Sequence, residues 1–129
     1  MNHAYNRAYY LRTREARLAH GRIYYEGNRE ARIARQKILI AELRLQVIAG
    51  YGGQCSCCGE DNPIFLDLDH VNGGGSAARR RNRSPYAAYR IARKQGFPPE
   101  YQVLCCNCNC GRHRNGGVCP HKEIRSMAA

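Results

Sequence analysis

Cys55-Ser56-Cys57-Cys58 and Cys105-Cys106-Asn107-Cys108 are the two segments that decide the fold of this chain. Each contains a Cys-x-x-Cys pair, and 46 residues lie between the two pairs. Four thiolates at this spacing are typical of a closed tetrahedral zinc site, which supports structure rather than chemistry. We therefore predict a structural zinc ion that joins two distant parts of the chain. Its predicted ligands are Cys55, Cys58, Cys105 and Cys108. The alternatives are that Cys57 or Cys106 replaces a neighbour, or that no metal binds.

Size and charge narrow the range of functions. The chain has 129 residues, enough for one domain with extensions. Its 21 basic and 10 acidic residues give a net charge of +11, which favours nucleic acid as a partner before an anionic membrane surface. A solvated basic surface is the plainer alternative. No apolar run approaches a membrane span and the first residues do not resemble a signal peptide. We therefore expect a cytoplasmic protein, in a reducing compartment where paired cysteines are metal ligands before they are disulfides.

Three segments follow from the distribution of residue types. Residues 1–50 are predicted to be a basic helical arm that binds DNA or a partner, residues 51–121 the zinc-bound core, and residues 122–129 a tail. The arm is rich in helix-forming residues, and Gly21 and Gly27 are expected to divide it into two helices. Apolar residues concentrate at the C-terminal end of the second helix, which predicts that this end packs on the core.

The core is predicted to be α+β, a small zinc-stapled β-hairpin plus helix. Alternation of apolar and acidic residues predicts a strand over residues 65–69, and a second strand over 101–104 would deliver Cys105. Between them, Ser84 and Pro85 are typical of a helix start, and Gly96 of a helix end. A short helix is expected to begin near Asn109.

Residues suited to phosphodiester chemistry lie within this core. Asp69 and His70 are adjacent, and Asn109 directly follows the last cysteine of the second pair. Carboxylate and amide oxygens suit Mg²⁺ or Mn²⁺, and an imidazole can accept a proton near neutral pH. Adjacent strand residues point to opposite faces, so Asp69 and His70 can share a site only if the strand ends or bulges there. The alternatives are a surface strand end without chemistry, or a His70 that is a structural neighbour of the zinc.

Two motifs in this order resemble those of the HNH, or His-Me finger (ββα-metal), endonucleases. Leu68-Asp69-His70-Val71-Asn72-Gly73 is similar to the family's Asp-His motif, and Val103-Leu104-Cys105-Cys106-Asn107-Cys108-Asn109 to its Leu-Cys-x-x-Cys-Asn motif. The most similar form is the phage recombination endonuclease VII type. The resemblance implies a phage-encoded nuclease that cleaves DNA, with His70 as general base and Asp69 and Asn109 holding Mg or Mn. Cleavage of both strands would suggest a homodimer.

One position departs from the family pattern. Glu100 stands where many members carry an asparagine that orients the catalytic histidine. If the chain is active, Asn72 or a backbone carbonyl must orient His70 instead. The departure keeps a rival open, in which the chain is a non-catalytic zinc-containing DNA-binding protein, such as a viral transcription or packaging factor. An RNA-binding zinc knuckle is a third interpretation.

Two further clusters are candidate sites. Basic residues between the predicted strands are expected to hold the DNA backbone, with a solvated helix face as the alternative. They are Arg79, Arg80, Arg81, Arg83, Arg90, Arg93 and Lys94. A second Cys₂His₂ zinc site is the other candidate. Its predicted ligands are Cys110, His113, Cys119 and His121. An active-site role for His113 or His121, or simple local packing, stays open.

Overall fold

The structure is a computed structural model that describes residues 3–122, with side chains from Arg7 onward. The chain divides into two compact units, one reaching to Leu39 and the other beginning at Ile40. The boundary lies within a helix and not at residue 50, because the last turns of that helix carry the residues that pack in the second unit. Of the predicted tail, only Lys122 belongs to the described residues.

The N-terminal segment forms two helices, α1 (His3–Gly27) and α2 (Arg29–Gly50). Gly21 does not interrupt α1, contrary to the sequence-based expectation, because one glycine in a helix costs only about 1 kcal/mol relative to alanine. α1 ends at Gly27, the other predicted break, and the residue between the two helices is Asn28. Its backbone N–H donates to the Tyr24 carbonyl at 3.1 Å and its side-chain amide donates to the same oxygen at 2.8 Å.

The C-terminal end of α2 packs in the second unit, as predicted. Leu43, Val47 and Ile48 are buried, whereas Leu45 is half exposed. Positions 43 and 47 are one helical turn apart, and 48 adjoins them on the same face, so this end presents a narrow apolar stripe.

A two-stranded antiparallel hairpin forms the centre of the second unit. Its strands are β1 (Leu66–His70) and β2 (Tyr101–Cys105), with Leu66 opposite Cys105 and His70 opposite Tyr101. A single 3₁₀ turn, Pro63–Phe65, leads into β1. The predicted α+β class and both predicted strands are confirmed.

Side chains and loops from elsewhere satisfy the outer edges of this hairpin. The Tyr89 hydroxyl accepts from the Leu68 N–H at 3.0 Å, and the Arg44 guanidinium donates to the Leu66 carbonyl. On the other edge the Ser56 N–H donates to the Val103 carbonyl at 2.9 Å. A sheet of two strands is marginal alone, so these bonds replace the neighbouring strands that it lacks.

Two helices, not one, connect the strands. They are α3 (Gly75–Asn82) and α4 (Ala87–Lys94). α3 was not predicted, because it buries no residue and therefore has no apolar periodicity. α4 begins at Ala87 and not at Pro85, although the Ser84 hydroxyl accepts from the Tyr86 N–H at 3.4 Å. After β2, α5 (Cys106–Arg114) begins one turn earlier than expected.

Candidate functional site

Four cysteines from the two Cys-x-x-Cys pairs converge beside the hairpin. They are Cys55, Cys58, Cys105 and Cys108. Their sulfur atoms all lie within 4.8 Å of one another, and the Cys58 and Cys105 sulfurs are 3.6 Å apart. Two thiolates on one tetrahedral zinc ion lie about 3.8 Å apart, given a Zn–S bond of about 2.3 Å. The cluster could therefore hold a metal ion such as zinc, with the ligands that the sequence predicted.

Local backbone structure explains the convergence. A tight turn follows Cys55, whose carbonyl accepts from the Gly59 N–H at 3.0 Å and whose N–H donates to the Glu60 carbonyl at 2.8 Å. Cys105 ends β2 and also caps α5, because its sulfur accepts from the Cys108 N–H at 3.4 Å. The strand end and the first helical turn thus present their two sulfurs to the same point.

The thiols of the cluster differ in acidity. Burial acts to raise the pKa of Cys55, but backbone hydrogen bonds from neighbouring cysteines lower it to about 6. Burial, reinforced by the surrounding thiols, raises the pKa of Cys108 well above the ordinary value. Of these two thiols, Cys55 therefore loses its proton more readily than Cys108. Metal binding would displace the remaining protons, since thiolates are the ligands.

A second group of metal-binding residue types adjoins the first. It consists of Cys57, Cys108, Cys119 and His121. Cys119 and His121 were predicted for a second site, but the structure does not place Cys110 and His113 with them. Cys110 is exposed, and His113 lines a cleft described next. Sequence reasoning failed here because Cys57 comes from the first Cys-x-x-Cys segment, more than 60 residues from Cys119, and no local spacing relates them.

The three predicted catalytic residues line one cleft. The cleft has a volume of about 910 Å³, and Asp69, His70 and Asn109 all contribute to its wall, together with His113. His70 is the last residue of β1, so the strict alternation of a strand ends where Asp69 and His70 need to meet. Asn109 reaches the cleft from the first turns of α5.

Arg112 is a residue of this site that the sequence analysis missed. Its guanidinium donates to Asp69 Oδ2 at 2.5 Å, to the His70 carbonyl at 3.3 Å and to the Val71 carbonyl. Arg112 thereby fixes the end of β1 and one oxygen of the Asp69 carboxylate. The available signal was its position three residues after Asn109, on the same side of a predicted helix.

The donor set at the cleft provides few ligands for a hard divalent ion. Asp69 Oδ2 accepts from Arg112 and, at 3.2 Å, from Gln102 Nε2, which leaves Oδ1 for a metal. The Asn109 amide oxygen is the second donor. Mg²⁺ commonly binds one or two protein oxygens and retains several waters, and both Asp69 and Asn109 line this cleft.

The His70 ring is positioned by packing. It lies 4.8 Å from the Tyr101 ring, its partner across the hairpin. A Cβ atom at Gly75 would fall 2.9 Å from His70 Nδ1, so only glycine permits this approach. Among residues 7–122, no side chain or carbonyl hydrogen-bonds to the imidazole. Asn72 is exposed and is not part of the cleft wall, and the Glu100 side chain is exposed, while the Glu100 carbonyl accepts from the Val71 N–H at 2.9 Å.

The predicted DNA-binding residues divide into two sets. Arg79 and Arg81 line the same cleft as His70. Two others are engaged within the protein, because Arg93 donates to Gln46 Oε1 at 3.0 Å and Arg90 donates to Ser84 Oγ at 3.5 Å. The remaining members are exposed and lie outside the cleft wall. They are Arg80, Arg83 and Lys94.

Comparison with known proteins finds no relative of this chain. No protein-family model, no curated protein and no solved structure matches this chain. In the described part of the chain, every helix is too short or too polar to cross a membrane.

Proposed function

We propose that this protein is a metal-dependent endonuclease that hydrolyses DNA phosphodiester bonds. One observation carries the proposal: His70, Asp69 and Asn109 line a single cleft, and arginines line it as well. The order β1, β2, α5, with metal-binding cysteines where β2 meets α5, fits the ββα-metal arrangement of His-Me finger nucleases. The resemblance of the two motifs points to the same class.

In this proposal His70 is the general base. Its imidazole accepts a proton from a water molecule, whose oxygen attacks the phosphorus atom while the bond from phosphorus to the leaving oxygen breaks. The leaving oxygen then takes a proton from solvent. Asp69 and Asn109 would hold a divalent ion, which supplies positive charge at the phosphate when bound.

The arginines of α3 supply the affinity for DNA. Arg79 and Arg81 lie on the cleft wall, where their guanidinium groups can pair with phosphates on either side of the scissile bond. Such contacts carry no sequence information, so they predict binding that weakens steeply with salt.

The proposal is tested by incubating the zinc-loaded protein with supercoiled plasmid and either Mg²⁺ or Mn²⁺. Nicked plasmid that appears only with the added ion supports the enzyme. In a parallel reaction EDTA removes the added ion and should stop nicking. The zinc content of the protein is measured after this treatment, because loss of structural zinc would also abolish cutting. A mobility shift without nicking, with zinc retained, contradicts the catalytic proposal.

That second outcome would support a non-catalytic zinc-containing DNA-binding protein. Specific observations favour this rival. The Asp69 carboxylate is paired with Arg112 at 2.5 Å, and the position of the usual orienting asparagine is Glu100, whose side chain is exposed. The rival predicts a salt-dependent mobility shift that is the same with and without Mg²⁺ or Mn²⁺.

A further inference from the structure

Two metal-binding groups in this protein share one sulfur. The first group is Cys55, Cys58, Cys105 and Cys108, and the second is Cys57, Cys108, Cys119 and His121. In each group all ligand atoms lie within 4.8 Å of one another, and Cys108, fully buried, belongs to both. We infer that the protein binds two zinc ions in a binuclear centre in which the Cys108 thiolate bridges the two ions.

The second group has the composition and the spacing of a zinc site in its own right. Three cysteines and one histidine are a common set for structural zinc. Cys108 Sγ lies 3.2 Å from His121 Nδ1. On one tetrahedral zinc ion a sulfur and an imidazole nitrogen are about 3.5 Å apart, from Zn–S and Zn–N bonds of about 2.3 and 2.0 Å. A small outward shift would admit the ion.

The chain after α5 is folded so that it returns to the cluster. Gly116 and Gly117 have φ angles of 61° and 96°, a left-handed conformation that reverses the chain at the end of the helix. The Gly117 N–H donates to the Arg112 carbonyl at 2.9 Å. Pro120 then packs against Gly111, where a Cβ atom would meet the proline ring at 3.2 Å. This path brings Cys119 and His121 beside Cys57.

Simple burial of apolar thiols explains this arrangement less well. Cys57 and Cys119 are buried and would be small hydrophobic residues without a metal. His121 is exposed, yet its Nδ1 atom lies 3.2 Å from the buried Cys108 sulfur. A hydrogen bond between thiol and imidazole accounts for this contact alone, whereas a shared metal ion also accounts for the approach of Cys57 and Cys119.

The second ion would also affect how Asp69 is held at the cleft. It would fix residues 115–122 on the cysteine cluster. Within that segment the Gly117 carbonyl accepts from Arg112 Nε at 3.0 Å, and Arg112 also holds Asp69. Loss of the second ion should therefore loosen the C-terminal segment first. Because that segment contacts Arg112, the position of Asp69 should then become less fixed as well. This inference concerns the metal centre alone and does not depend on nuclease activity.

Metal counting on the full-length protein tests the inference. Native mass spectrometry, with elemental analysis of the same sample, should give two zinc ions per chain. Cys57→Ser, Cys119→Ser and His121→Ala should each give one. Cys106→Ser and Cys110→Ser are the matched controls, since both cysteines are exposed and belong to neither group, and they should keep two.

The bridge has its own readout. In protein loaded with ¹¹³Cd, two resonances split by mutual coupling are expected, because the Cys108 sulfur connects the two ions. A wild-type protein that saturates at one zinc would overturn the inference, as would two zinc ions that survive Cys57→Ser and Cys119→Ser. Two uncoupled cadmium resonances would refute the bridge, and a Cys57–Cys119 disulfide in freshly purified protein would refute the second site.

Discussion

The close approach of Gly75 to His70 gives a prediction that separates positioning from folding. In Gly75→Ala the new Cβ would lie 2.9 Å from His70 Nδ1, whereas ordinary contact begins at 3.4 Å. The imidazole must therefore move by 0.5 Å, the difference between these two distances. A misplacement of 1 Å can cost about a hundredfold in rate, so half that displacement predicts a loss of about tenfold in nicking.

The Gly75→Ala variant should lose activity without losing stability. Gly75 begins α3 with a backbone conformation that alanine can adopt, and alanine favours a helix by up to about 1 kcal/mol over glycine. The assay is the initial rate of plasmid nicking beside the thermal unfolding temperature. Gly27→Ala is the matched control, because a Cβ there meets nothing within 4 Å. An unchanged rate in Gly75→Ala would refute the described position of the imidazole.

Three further changes test the fold around the site. Leu66→Ala should lower the free energy of unfolding of the zinc-loaded protein by about 3 kcal/mol in urea titration, because Leu66 is fully buried in the hairpin; a change below about 1 kcal/mol would contradict this. Arg112→Ala should lower the free energy of unfolding by about 2–3 kcal/mol in the same titration, because Asp69 and two carbonyls lose their charged donor. An unchanged free energy of unfolding would refute this role of Arg112. Burial raises the pKa of Tyr89 above its ordinary 10.0, so stability should be level below pH 10 and fall as the pH rises through the folded-state value. Tyr89→Phe should weaken that fall in unfolding curves at pH 9–12, and should lower the free energy of unfolding by about 1 kcal/mol at neutral pH. An unchanged dependence of stability on pH above 10 would contradict the raised pKa of Tyr89.

Local patterns allowed the hairpin and the first cysteine cluster to be predicted. Alternation of leucine and aspartate in β1 identifies a strand with one buried face, and Leu66 is indeed buried. The spacing of each Cys-x-x-Cys pair fixes which sulfurs can meet. The apolar end of α2 likewise predicted the burial of Val47. In each case the signal lies within a few residues of the feature that it predicts.

Features that depend on distant contacts could not be predicted in this way. α3 contains glycine and arginines but no buried residue, so its sequence has no apolar periodicity from which a helix could be predicted. Arg112 acquires its role only because α5 packs against the end of β1 and brings it to Asp69. The pairing of Cys57 with Cys119 similarly depends on the return of the chain after α5.

The hypothesis that His70 is a general base is tested most directly by His70→Ala. The variant should retain the zinc content and the DNA mobility shift of the wild type while Mg²⁺- or Mn²⁺-dependent nicking falls to background. His20→Ala, which removes an imidazole from α1, should nick at the wild-type rate. Wild-type nicking by His70→Ala, at equal zinc content and equal DNA binding, would contradict the assignment.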